Sequence, residues 1–146
     1  ILIGLVGSEM CIRDRNLFNE KNNGETLLKL IDNNLITSAH DVSLGGIITA
    51  VAKMCIKGKK GINIKKPKYL INEIEYLFAE DQGRYIIEIN KKDFKKVADI
   101  LNKNAVHFDE LGTIIENELY INDKTKVTID ELSTSNKSWL TNYMSK

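Results

Sequence analysis

The chain has 146 residues, enough for one domain with a substantial core. Apolar residues make up 42% and charged residues 28%, a globular composition that excludes collagen-like, mucin-like and disordered classes. With 21 basic against 20 acidic residues, the net charge of +1 gives no electrostatic case for nucleic acid or a membrane surface as partner. Two cysteines, Cys11 and Cys55, make neither a disulfide framework nor a zinc pattern.

Ile, Lys and Asn occur 20, 18 and 15 times. All three use A/T-rich codons, so lysine clusters carry little functional signal. Arginine is informative by contrast, since only Arg13, Arg15 and Arg84 occur.

Residues 1–15 differ from the rest. They hold two of the three arginines and neither Lys nor Asn, and the chain opens on Ile1. The string Val6 to Arg15 resembles a translated sequencing-adapter tail. The expectation is that residues 1–15 are a non-native tail outside the fold and that 16–146 form a single domain, a fragment of a longer protein. The competing reading is a native strand from Ile1 to Val6 followed by a turn at Gly7-Ser8.

Along the remainder, Leu27, Leu28, Leu30 and Ile31 on one side predict a helix over 24–34. Leu35 to Ala39 reads as a strand and His40 to Gly46 as a turn. Ile47 to Ile56 is a buried apolar helix stopped by Gly58 and Gly61, with Cys55 in the core. Ile62 to Ile64 is a strand, and Pro67 precedes a helix from Lys68 to Leu77. Tyr85 to Ile89 is a strand. Lys91 to Asn104 is a helix with Phe94, Val97, Ala98 and Leu101 as its apolar stripe. His107 to Glu116 and Glu118 to Ile121 suggest a hairpin around Asn117, with His107 on the surface. Lys126 to Ile129 is a further strand, and Asp130 opens a last helix ending near Met144, with Trp139, Leu140 and Tyr143 docking it. The alternation predicts a mixed α/β layer domain, a mixed sheet covered by helices.

Two segments carry candidate chemistry. Ser38-Ala-His-Asp-Val-Ser-Leu-Gly-Gly46 opens a helix, where free backbone N–H groups and the dipole attract anions. Gly45 and Gly46 permit close backbone approach, Ser43 offers a hydroxyl, and His40 and Asp41 are capable of acid–base work. The competing reading has Ser43 as helix cap, the glycines as a tight turn and His40 as a satisfied semi-buried residue. In Phe78-Ala-Glu-Asp-Gln-Gly-Arg-Tyr85, Arg84 is the one arginine after residue 15. Only arginine supplies a planar two-pronged donor, so geometry matters there. It either pairs with Glu80 or Asp81 or holds a phosphate against Gly45-Gly46.

These two motifs, with Trp139-Leu-Thr-Asn-Tyr-Met144 near the end, resemble the C-terminal domain of the phosphoribosylformylglycinamidine synthase family, in its synthetase subunit. The resemblance covers about residues 16–146. The first motif alone fits the wider superfamily that includes aminoimidazole ribonucleotide synthetase, selenophosphate synthetase and thiamine-monophosphate kinase. The family usually carries Asp where Leu44 stands, so any anion or metal role of that carboxylate is missing.

The resemblance implies a fold of the aminoimidazole ribonucleotide synthetase C-terminal type. It also implies part of a cytoplasmic ATP- and Mg²⁺-dependent ligase of purine biosynthesis. That ligase converts formylglycinamide ribonucleotide to the amidine with glutamine-derived ammonia. The implied partners are upstream domains, a glutaminase subunit and a small accessory subunit, with no nucleic acid or membrane. No catalytic or metal-binding residue of the family maps onto this chain. His40, Asp41, Ser43, Gly45, Gly46, Glu80, Asp81, Gln82 and Arg84 are candidates for a nucleotide or phosphate site or for an interface. The fragment alone is expected to be inactive. The alternative is a non-catalytic structural or nucleotide-binding module of the same superfamily.

Overall fold

A computed structural model describes residues 1–5, 16–65, 72–80 and 83–145. Their elements are β1 (Leu2–Leu5), α1 (Leu17–Asp32), β2 (Ser38–Asp41), α2 (Gly46–Gly58), β3 (Gly61–Ile64), α3 (Glu73–Phe78), β4 (Tyr85–Glu88), α4 (Phe94–Lys103), β5 (Phe108–Ile115), β6 (Glu118–Ile121), β7 (Thr125–Thr128) and α5 (Ile129–Met144). A single 3₁₀ turn, Lys91–Asp93, leads into α4.

Seven strands form one mixed sheet in the order β2-β4-β1-β5-β3-β6-β7. Every neighbouring pair is antiparallel except β3 with β6. Strand alternation sends successive side chains to opposite faces. Leu2, Ile62, Ile64, Ile86, Leu111 and Leu119 pack under α2, α3 and α5. Ile3, Leu5, Ile87 and Ile89 meet Leu30 of α1 and Val97 and Leu101 of α4. The result is three layers with the sheet in the middle, as the alternation of elements suggested.

The N-terminal segment corrects the expectation of a tail outside the fold. Leu2–Leu5 is a central strand, paired with β4 on one side and β5 on the other. Leu2, Ile3 and Leu5 are among the most buried residues of the chain. Four apolar or small residues in a row suit a strand buried on both faces, where no polar alternation is needed. The register slips between Leu2 and Ile3, leaving Leu111 as the extra residue on β5, its side chain against Gly4. Val6 to Arg15 lies outside the described residues.

Other boundaries moved for identifiable reasons. Helix α1 starts at Leu17 rather than Gly24, because the Asn16 side chain accepts the Asn19 N–H as an N-cap. Its buried line is Asn23, Thr26 and Leu30, while Leu28 and Ile31 face outward. The strand anticipated at 35–39 is Ser38–Asp41, so His40 and Asp41 belong to β2 and not to a turn. The Asn72 side chain caps α3 at Glu73, so the helix placed at 68–77 begins later, and 66–71 lie outside the described residues. Lys59 closes α2 with a left-handed φ of 51°.

The hairpin expected around Asn117 does not form. Strand β3 lies between β5 and β6, antiparallel to one and parallel to the other. The Glu116-Asn117 link therefore crosses the start of β3, where the Gly61 N–H donates to the Glu116 carbonyl. A side chain at Gly61 would collide with the Glu118 backbone, so this crossing needs glycine. The true hairpin joins β6 to β7 through Asn122 and Asp123, both at positive φ, a conformation Asn and Asp tolerate. Helix α5 opens with a capping box: Thr128 accepts the Glu131 N–H and the Glu131 carboxylate accepts the Thr128 N–H. The Thr128 N–H and hydroxyl, both donating to the Glu131 carboxylate, hold that carboxyl below its usual range.

Candidate functional site

The two motif segments meet at one end of the sheet. β2 pairs with β4 from Ser38↔Glu88 to Asp41↔Tyr85, which sets the residues after β2 beside those before β4. The Val42 N–H extends the pairing by donating to the Arg84 carbonyl at 2.9 Å. Helix α1 closes the third side: Asn23 is buried and its Nδ2 donates to the Gly83 carbonyl at 3.0 Å.

Between them lies a cleft of about 410 Å³ lined by Glu20, Asp41, Ser43, Glu80, Arg84 and Tyr85, with Leu44 at its rim. The cleft thus brings together Asp41, Ser43, Glu80 and Arg84. Asp81 and Gln82 lie outside the described residues. Glu20 and Asn23 were missed, because nothing in the composition of α1 marks two polar residues one turn apart as facing inward. The sole hint was their place on the side of the helix carrying Leu27 and Leu30.

The start of α2 is already occupied. The Gly45 N–H donates to Glu80 Oε1 at 2.8 Å, so a carboxylate from the second motif sits where an anion was expected to bind. The helix cap is Gly45, at φ 82°, and Ser43 supplies a backbone carbonyl to the Gly46 N–H instead of a side-chain cap. Gly46 is needed for contact: a Cβ there would stand 2.6 Å from the Leu77 carbonyl oxygen, and its φ is +69°. The end of α3 therefore packs directly on the backbone of Gly46.

Arg84 is 4% exposed, the one charged residue among the buried polar side chains described. A guanidinium so far from water needs hydrogen-bonding partners. With Glu20, Asp41 and Glu80 around it, the cleft offers more acceptors than donors. It suits ligand hydroxyls, amides or amines better than a bare phosphate.

His40 turns away from this cleft into a second cavity, of about 600 Å³, between the C-terminal half of α2 and the sheet. Its Nδ1 lies 2.6 Å from the Asp41 carbonyl oxygen and 3.3 Å from the Asp41 carboxylate. Both are acceptors, so Nδ1 carries the proton. Cys55, Glu88, Lys53, Lys57 and Lys60 line the same cavity. Burial, with the Glu88 charge adding to it, pushes the Cys55 thiol up to about 11 and leaves it a core thiol rather than a nucleophile. No group of three or more His, Cys, Asp or Glu side chains able to hold a metal ion occurs among the described residues. No helix among them is long and apolar enough to cross a membrane.

Comparison with known proteins agrees with this architecture. The phosphoribosylformylglycinamidine synthase subunit PurL of Pelagibacter ubique is 68% identical over 129 residues, which are 88% of this chain and 18% of that protein. The chain thus spans about a fifth of the length of the curated relatives it matches. Thermotoga maritima PurL complexed with ATP superposes with a TM-score of 0.77 at 20% identity, over 90% of this chain and 25% of that one. The structure of PurLQS from the same organism gives 0.76 at 19% identity, again over 90% and 25%. The profile of the AIR synthase related protein C-terminal domain matches residues 13–124, and the chain belongs to that family.

Proposed function

We propose that this chain is the C-terminal domain of a phosphoribosylformylglycinamidine synthase, the ligase that forms formylglycinamidine ribonucleotide from the formamide, ATP and glutamine-derived ammonia. The observation that carries the reading is the 68% identity over 129 residues to a protein of that name. The order of the two motifs and the Trp139–Met144 tail support it.

In this reading the domain consists of residues 16–146 completed by the strand at 2–5, and the compositional argument for a foreign segment narrows to Val6–Arg15. ATP and Mg²⁺ are held mainly outside these residues. The acceptor-rich cleft and the carboxylate on the α2 N-terminus support that division, because neither favours a triphosphate. The cleft residues Asp41, Ser43, Glu80 and Arg84, with Asp81 and Gln82, then face a second nucleotide site or a domain boundary. His40 lines the second cavity and stands apart from that face. The partners are the rest of the polypeptide, a glutaminase subunit and a small accessory subunit, and the compartment is the cytoplasm. The 146-residue chain alone turns over neither ATP nor the formamide.

The test is a chimera: Pelagibacter ubique PurL with its matched stretch replaced by the counterpart from this chain. ATP- and ammonia-dependent amidine formation near the parent rate is expected. A folded chimera without turnover overturns the reading, as does magnesium-dependent turnover by the 146-residue chain alone.

A further inference from the structure

The last helix of the chain is not finished as a surface. Of the residues of α5 only Ile129 is buried, and Leu132 packs against the core beside it. The helix spans 16 residues, about 24 Å, so its later turns extend beyond that anchorage. There Trp139, Leu140, Tyr143 and Met144 are 60%, 54%, 68% and 74% exposed. Their spacing of three and four residues puts them on one side, and the Trp139 and Tyr143 rings touch with centroids 6.2 Å apart. From Leu132 to Ser145 only Lys137 is charged. Charge depletion with Trp, Tyr and Met gathered on one helix is the composition of an interface core and not of a solvated surface.

We propose that the outer end of α5 packs against an apolar surface elsewhere on the same synthase polypeptide. The inference rests on the proposed function, and the relative's length argues for this occupant. The matched stretch is 18% of the Pelagibacter ubique protein, so most of such a polypeptide lies outside the domain and is covalently tethered to it. The same helical layer also exposes Ile74 and Phe78 of α3, and Leu44 just before α2. On the opposite layer α4 turns Lys95, Lys96, Asp99 and Lys103 outward, while α1 exposes Leu17, Phe18, Leu28 and Ile31.

Hydroxyl-radical footprinting read by mass spectrometry tests this residue by residue, on the 146-residue chain and on the chimera. Trp139, Tyr143 and Met144 are expected to label several-fold more slowly in the chimera, with the α4 surface labelled equally in both. Equal labelling of α5 in both proteins overturns the proposal. Protection already present in the 146-residue chain, with a concentration-dependent dimer in sedimentation, overturns it in favour of a second copy as occupant. Amidine formation separates the two readings. A chimera that makes amidine with α5 fully labelled removes the docking surface alone. One with α5 protected and no turnover removes the ligase assignment alone.

Discussion

Helices α4 and α5 cover opposite faces of one sheet and end differently. In α4, Val97 and Leu101 are fully buried, Phe94 and Ile100 pack beside them, and four of ten residues are charged. It is a complete amphipathic surface helix, closed on one side by the core and on the other by water. In α5 one residue is buried and the aromatic residues are outside. Packing thus explains all of α4 and only the first turns of α5. The later turns of α5 carry no buried side chain, and their large apolar residues face outward.

The comparison rests on the sheet between the helices, and the largest expected effect is there. Deleting residues 1–5 removes a strand with neighbours on both sides and three fully buried aliphatic side chains. Each side chain is worth about 1.5–3 kcal/mol of burial against a typical domain stability of about 5–15 kcal/mol. The truncated chain should show no cooperative unfolding in urea, followed by circular dichroism. A transition close to that of the intact chain would return residues 1–5 to the status of a tail.

Leu101→Ala sharpens the contrast from the α4 side. Leu101 is wholly buried against the sheet, so the truncation should cost about 2–5 kcal/mol by chemical denaturation. Lys96→Ala, on the outward side of the same helix, should stay within about 0.5 kcal/mol.

How far the sequence spoke for itself follows the same division. Where one face is apolar and the other polar, as in α4, helix and stripe were legible from periodicity alone. β1 was not, because Ile1 to Leu5 offers no alternation and its neighbours in sequence are compositionally foreign. The β5–β6 link was misread because two strand-like runs separated only by Asn117 signal a hairpin locally. That β3 inserts between them is a long-range fact recorded only by Gly61. At the site, residue types picked out the two motifs, and the phosphate alternative for Arg84 was the one reading that joined them. They did not reveal that Glu80 would fill the anion position at Gly45, since that contact joins residues 35 apart. Trp139, Leu140 and Tyr143 were read as docking the helix because large apolar residues usually do, and the structure leaves them outside.

Arg84 lies where the two motifs join, and the effect expected there is smaller. It is buried, so Arg84→Lys keeps the charge but loses part of a planar donor set that solvent does not replace. The loss should be about 1–3 kcal/mol of stability in the ligand-free chain. Stability unchanged in the chain, with ligand binding weakened in the chimera, would make Arg84 a ligand contact instead.

A pH-dependent effect is expected at Cys55, on the buried side of α2. Its thiol is raised from 9.0 to about 11 in the folded chain. The folded state therefore holds the proton more tightly than the unfolded state. The stability this contributes is complete below pH 9.0 and is lost as pH rises through about 11. Cys55→Ala should flatten that part of the stability–pH profile. A slope between pH 9.0 and 11 identical to that of the unchanged chain would show that the thiol does not titrate there.

The most direct test of the unfinished helix is Leu140→Glu, measured by unfolding in both the 146-residue chain and the chimera. In the chain Leu140 is 54% exposed, so the change should stay within about 0.5 kcal/mol. In the chimera the new carboxylate meets an apolar surface, and the midpoint should fall by several degrees, an effect on the order of 2 kcal/mol or more. The same small effect in both proteins would contradict the account, because the outer end of α5 would then face water in both.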